Sequence, residues 1–123
     1  LTICYDLRFP NLYRDIARKG ANIIFVPSAF TKFTGKLHWH VLLRSRAIET
    51  GSYIIAPAQT GKHPGGRKTF GHSIVVSPNG SILKDAGEKV GYINCEIDLN
   101  QVNEIREQIP SLFLNPKYSI KVS

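Results

Sequence analysis

An α/β fold is the class this sequence predicts, and three observations predict it. Two unbroken apolar runs of strand length, Asn22-Ile-Ile-Phe-Val26 and Tyr53-Ile-Ile-Ala56, stand on either side of a stretch patterned as a helix. A β-branched pair, Thr2-Ile3, opens the chain and is followed by its own helical pattern, so strand, helix, strand, helix and strand alternate. That order demands right-handed crossovers and a parallel sheet. Size agrees: 123 residues, 42% hydrophobic and 20% charged, suffice for one small domain with a single core.

Taken in order, the first strand ends on Cys4, and Pro10 suits the first turn of a helix, where a missing N–H costs nothing. The helix runs over residues 11–18, with Leu12 and Ile16 on a shared face and Gly20 placed to end it. A thiol leaving a strand beside a helix N-terminus lies near the positive end of the helix dipole, which favours the reactive thiolate. The competing reading of the local pattern is a small buried cysteine that fills a gap. Residues 22–26 form the second strand, covered on both faces. A loop over residues 27–35, rich in Ser, Thr and Gly, leads to a helix over residues 37–49. Leu37, Val41 and Ile48 fall near one face of it, with Arg44 and Glu49 largely elsewhere. Gly51 stops this helix, and residues 53–56 return as a third buried strand.

Beyond Gln59 the character changes. Residues 61–66 hold Gly, Lys, His and Pro and read as an exposed loop. Residues 72–77 and 81–84 flank Pro78-Asn79-Gly80, a turn that closes a hairpin. Residues 91–97 alternate in and out as a further strand, which makes Cys95 a packing residue, and a polar helix follows over residues 99–107. From Ile109 the Pro-containing tail loses periodicity.

Composition narrows the function classes. Sixteen Lys and Arg against nine Asp and Glu give a net charge of +7, which raises the question of nucleic acid. The densest basic cluster, from Lys62 to Lys68, is Gly/Pro-rich without interleaved aromatics, so no nucleic-acid partner is expected. No apolar run approaches the roughly 20 residues of a membrane helix, and no membrane partner is expected. Two cysteines far apart in sequence make no disulfide framework, and a reduced, cytoplasmic compartment is the simpler inference. No cysteine or histidine spacing suggests zinc and no glycine loop resembles a phosphate cradle, so neither a metal nor a cofactor is expected. His38 and His40 flank Trp39, and His72 lies in Gly-His-Ser; none is paired with a recognisable Asn or Asp partner for Cys/His catalysis.

The motifs say more than the pattern. Cys4-Tyr-Asp-Leu-Arg-Phe-Pro10 resembles the nucleophile motif of the nitrilase, or carbon–nitrogen hydrolase, superfamily. Three further stretches agree in order: Pro27-Ser-Ala-Phe-Thr-Lys-Phe-Thr-Gly35 with His38-Trp39, Leu42-Leu-Arg-Ser-Arg-Ala-Ile-Glu49, and Gly71-His-Ser-Ile-Val-Val-Ser-Pro-Asn-Gly80. The resemblance covers most of the chain up to about Asp98 and implies an α-β-β-α sandwich. Residues 1–123 would be the C-terminal part of that single domain. It implies hydrolysis of linear amides through a cysteine thioester, with Cys4 as nucleophile and the Tyr5 backbone N–H as an oxyanion donor. The family's catalytic Glu and Lys precede the cysteine and map to no residue here, so the isolated chain is expected to be inactive. Arg8 would bind a substrate carboxylate, the task a guanidinium fork does best, and Phe30 and Thr34 would line the acyl pocket. Read from the residues alone, Arg8 equally suits a pair with Asp6, and Phe30 a place in the core.

Within the superfamily, Glu49-Thr50, Ala58-Gln-Thr-Gly-Lys-His63 and Arg67-Lys-Thr-Phe-Gly-His-Ser73 look most like the deaminated glutathione amidase branch. The ω-amidases and N-carbamoyl amidohydrolases remain alternatives, as does an inactive remnant serving as a binding module. The resemblance further implies a small-molecule, carboxylated amide as substrate and a homodimer formed through the Asn11 and Leu37 helices.

Overall fold

The computed structural model describes residues 1–121. Its centre is a four-stranded sheet in the order β1 (Ile23–Phe25), β2 (Tyr53–Ala56), β5 (Ile74–Val76) and β6 (Ile82–Asp85). β1 and β2 are parallel, pairing Ile24 with Ile54, whereas β5 and β6 add antiparallel neighbours. The chain start joins the free edge of β1: Thr2 N–H donates to Phe25 O at 2.9 Å and Cys4 N–H to Pro27 O at 3.0 Å. These two bonds run in one direction only, since Pro27 has no N–H to return, so the opening segment lies along the sheet edge without joining a ladder, and of the three expected parallel strands β1 and β2 are in the sheet.

The helices cover one face of this sheet. The first, α1 (Pro10–Arg18), starts one residue earlier than its periodicity suggests, because Pro10 occupies the first helical position. Its buried residues are Tyr13 and Ala17, while Leu12 stays exposed and Ile16 only edges the core. The second helix begins at Lys32, well before residue 37, because the Thr31 hydroxyl caps it by accepting from Thr34 N–H. It runs as α2 (Lys32–Thr34), a π-turn over Gly35–Trp39 and α3 (His40–Thr50). Trp39, Leu43 and Ala47 are fully buried against the sheet, and Leu37, Val41 and Ile48 are 56%, 63% and 49% exposed. The apolar face that the sequence marks on this helix is therefore the outward one. This helix carries apolar residues on both sides, and hydropathy alone cannot choose between them.

Gly35 is needed at the π-turn, since a Cβ there would lie 2.3 Å from Phe70 Cβ. Gly51 closes α3 in the left-handed conformation (φ +57°), as a C-terminal glycine does.

Sheet residues alternate between the two faces. Ile24, Ile54, Ala56, Ile74 and Val76 point at the helices and are at most 1% exposed. On the opposite face Phe25 is 44% exposed, so β1 is not covered on both sides as its apolar run suggests. Residues 91–97 pass over part of this second face, with Tyr92 and Ile93 near Phe25, Ile55 and Val75. They alternate in burial as expected but join no ladder and are not a strand. Residues 61–66 are mostly exposed, as expected, and form the tip of a small hairpin, β3 (Thr60–Lys62) with β4 (Lys68–Phe70). The Pro78-Asn79-Gly80 turn joins β5 to β6 as expected. The last helix, α4 (Asn100–Gln108), is anchored by Arg106, whose guanidinium donates to Thr50 O, Ala21 O, Asn22 Oδ1 and Ser52 Oγ. Among the described residues no helix is long and apolar enough to cross a membrane.

Candidate active site

Ligands of parallel α/β sheets bind outside the carboxyl ends of the strands, where connections leave toward the helices. Three such ends meet here. The opening segment ends at Cys4, β1 runs on into Pro27-Ser-Ala29, and β2 runs on into Pro57-Ala-Gln59. These extensions stay bonded to one another: Ser28 N–H donates to Pro57 O, and Gln59 N–H to Ser28 O, both at 2.9 Å. With Ile3 and Ser73 they enclose a cleft of about 530 Å³ that opens to one side. Ser73 Oγ accepts from Ala58 N–H at 2.9 Å and fixes the far wall.

Cys4 lines this cleft in a left-handed conformation, φ +44°. For a residue with a Cβ this costs about 1–2 kcal/mol, so the surroundings must hold it in place. They do so from three sides. Cys4 N–H is tied to Pro27 O. Two residues earlier, Thr2 is buried and shares a 2.7 Å hydrogen bond with the hydroxyl of Tyr13. Three residues later, Leu7 O accepts from Nε of Arg46 at 3.0 Å. Arg46 is 5% exposed, lies over the Tyr13 ring at 5.6 Å, and pairs with Glu49 at 2.8 Å. Burial of the Tyr13 phenol pushes its pKa upward, which keeps it neutral and able to hold Thr2.

A short 3-10 turn, Cys4–Arg8, begins at Cys4 itself, and α1 begins only after it. The expected long helix dipole at the thiol is thereby reduced to one tight turn, because macrodipoles build up over aligned peptides. The local donors remain. The first bond of the turn runs from Asp6 N–H to Ile3 O, so the Tyr5 N–H precedes it and has no partner within the turn. Asp6 itself accepts from Ile3 N–H at 2.9 Å and forms no pair with Arg8.

Arg8 instead stacks on aromatic faces, 5.5 Å from the Tyr5 ring centre and 5.3 Å from that of Phe30, and meets His38 Nδ1 at 3.3 Å. No carboxylate among the described residues neutralises it. Phe30 is 7% exposed, packs on Trp39 at 4.9 Å and follows Ala29 of the cleft lining. It is a core residue whose ring supports Arg8. Thr34 lies in the helix with its hydroxyl bonded to that of Thr31 at 2.9 Å, and of the expected site residues Cys4 is the one that lines the cleft, with Tyr5, Arg8, Phe30 and Thr34 outside its lining. Cys4, Tyr5, Arg8 and Phe30 are thus brought into one neighbourhood, and Thr34 serves the helix cap.

Sequence reasoning did not mark the lining at Ser28, Pro57, Gln59 and Ser73, nor the buried Arg46. It also missed a cluster of His40, His72 and Asp85. His40 Nε2 lies 2.8 Å from Asp85 Oδ2, and His72 Nδ1 lies 2.9 and 3.1 Å from the two Asp85 oxygens. Burial acts to raise the Asp85 pKa, but hydrogen bonds from His40, the Gly87 N–H and His72 outweigh it and hold the carboxyl below its ordinary range.

A strained cysteine where the strand ends meet, with a backbone N–H beside it and an arginine nearby that no described carboxylate neutralises, places the chain in the class of α/β proteins with a strand-end cleft. The particular family is shown by comparison: the sequence matches the carbon-nitrogen hydrolase family over residues 1–107, and the chain belongs to that family. It is 55% identical to the deaminated glutathione amidase of Synechocystis sp. over 112 residues, which cover 91% of this chain and 41% of that protein. The chain therefore spans about two fifths of the length of that curated relative. Among solved structures, the NitFhit protein of C. elegans superposes with a TM-score of 0.90 at 45% identity, covering 94% of this chain and 28% of that one. A mutant of the amidase from Nesterenkonia sp. AN1 superposes with a TM-score of 0.66 at 34% identity, covering 72% of this chain and 33% of that one. In that protein the acetamide moiety of fluoroacetamide is covalently added at the active-site cysteine.

Proposed function

We propose that the protein carrying this sequence hydrolyses the C–N bond of small carboxylated linear amides, of the deaminated glutathione kind, with Cys4 as covalent nucleophile. The observation that carries the reading is the left-handed Cys4 held in the lining of the strand-end cleft. Its thiolate attacks the amide carbonyl carbon to form a tetrahedral adduct, and the Tyr5 N–H donates to the oxyanion. The C–N bond breaks, ammonia leaves with a proton from a general acid, and a thioester remains on Cys4. Water then adds to the thioester and releases the carboxylate and the thiol. Arg8 holds the substrate's remote carboxylate with charge-assisted hydrogen bonds.

Among the described residues the cleft lining includes no carboxylate and no lysine. We place the base, the acid and a second oxyanion donor on the remaining part of a longer hydrolase domain, in line with the 41% coverage of the Synechocystis relative. Residues 1–123 alone should then release no ammonia. The outward Leu37, Val41 and Ile48 of the second helix, with Leu12 of α1, support a homodimer through these two helices. The test of the function is ammonia release by the full protein from deaminated glutathione, from an α-keto acid ω-amide and from a neutral amide. Turnover of the carboxylated amides with little of the neutral one is the expected result; no turnover of any amide overturns the proposal.

A further inference from the structure

The His40, His72 and Asp85 cluster is not part of the cleft lining, although His72 precedes Ser73 of the cleft wall. Its three side chains come from three places: the first residue of α3, the link before β5 and the last residue of β6. One atom from each lies within 4.8 Å of the others. Tetrahedral zinc with bonds of ~2.0–2.1 Å sets its ligands about 3.3 Å apart; the gaps from Asp85 Oδ2 to His40 and His72, 2.8 and 3.1 Å, need to open only slightly, and the two histidine nitrogens, within 4.8 Å of each other, close onto the ion.

The support around the cluster is what a built site requires. His72 is held at φ +61°, a conformation rare outside glycine, by its N–H to Gly87 O at 2.7 Å and by Trp39 Nε1–H donating to its carbonyl at 2.8 Å. Its ring stacks on Phe70 at 4.3 Å, and that of His40 meets Phe70 edge-on at 5.8 Å. Gly87 N–H donates to Asp85 Oδ1 at 2.8 Å, an outer bond that orients the carboxylate. The three side chains keep 30%, 22% and 26% of their surface exposed, which leaves an entry path and room for water as a fourth ligand.

We infer that His40 Nε2, His72 Nδ1 and one oxygen of Asp85 form a binding site for a single divalent transition-metal ion of the zinc class. Two imidazoles and a carboxylate suit zinc better than magnesium or calcium, which prefer all-oxygen shells. In the metal-free cluster the carboxylate only accepts, so each histidine points an N–H at it. Binding moves those protons to the outer nitrogens, His40 Nδ1 and His72 Nε2, and puts the ion in their place. The ion would tie α3 to the β5–β6 hairpin, one residue from Ser73 on the cleft wall.

The experiment is zinc titration by calorimetry of the full protein with its thiols alkylated, alongside imidazole 15N NMR. Expected is one zinc per chain, a switch of both histidines to the opposite tautomer, and a rise in Tm. His72→Asn tolerates the left-handed backbone, and His40→Gln sits on a helix, so each should fold by circular dichroism. Each should weaken zinc binding by about 100-fold or more, since even outer-shell partners are worth roughly 10–100-fold. No stoichiometric binding to the wild-type protein, or binding that both folded variants keep unchanged, overturns the site.

Discussion

The two cysteines of this chain are the same side chain in opposite circumstances. Cys4 has a left-handed backbone, a neighbouring buried threonine, and a turn tied down by Arg46. Cys95 lies in a segment that joins no sheet, its thiol bonded only to the adjacent Glu96 carbonyl at 3.3 Å, in a surface groove with Leu83, Lys84 and Asn94. Both are half-buried, so exposure does not separate them. What separates them is how the fold holds each: strain and three anchors on one, neither on the other. The proposed function thus assigns reactivity by the constraints on a residue, more than by its type or accessibility.

Removing each thiol in turn should give the widest contrast. Cys4→Ala should lower amide turnover by about 10⁴-fold or more, the scale on which losing a covalent nucleophile is felt. Cys95→Ala should stay within about 2-fold, as surface changes away from structural features do. Steady-state ammonia release measures both.

The anchors come next. Arg46→Ala removes the charged donor to Leu7 O and the cation over Tyr13, and should destabilise the fold by about 3 kcal/mol in denaturant unfolding. It should also slow alkylation of Cys4 while leaving Cys95 unchanged. Arg8→Ala should cut kcat/KM for carboxylated amides by ~10–100-fold with little effect on neutral ones. Equal losses on both would make Arg8 a structural residue that only packs on Phe30.

A weaker effect is expected at Tyr13. Burial raises its folded pKa above the ordinary phenol value, so the folded state keeps the phenolic proton after the unfolded chain has lost it. The stability this contributes is complete below the unfolded value and is lost as pH rises through the folded pKa. Tyr13→Phe should flatten the alkaline fall in stability and cost about 1 kcal/mol at neutral pH through the lost bond to Thr2. An unchanged alkaline limb in unfolding experiments would show that another group controls it.

Much of the scaffold was legible because it is local. Apolar runs and glycine or proline stops marked β1, β2, α1 and the β5–β6 hairpin, and the Cys4 motif marked the nucleophile candidate. The misreadings share a cause in tertiary choice. Which face of the second helix turns inward depends on the sheet, and a π-turn at Gly35–Trp39 leaves no hydropathy signature. Thr31, three residues before Thr34, was a visible cap signal that would have moved the helix start. Residues 91–97 have a strand's alternation without a partner edge. The cleft lining and the His40, His72 and Asp85 cluster could not be read from spacing, since their members lie on separate elements that meet only in the fold.

Whether Cys4 rather than Cys95 carries the reaction can be seen by rapidly quenching the full protein during turnover of a carboxylated amide and mapping its peptides by mass spectrometry. The expected product is an acyl adduct, of the mass of the amide less ammonia, on the peptide that contains Cys4, with the Cys95 peptide unmodified. An acyl group on Cys95, or undiminished turnover by Cys4→Ala with no adduct on any cysteine, would contradict it.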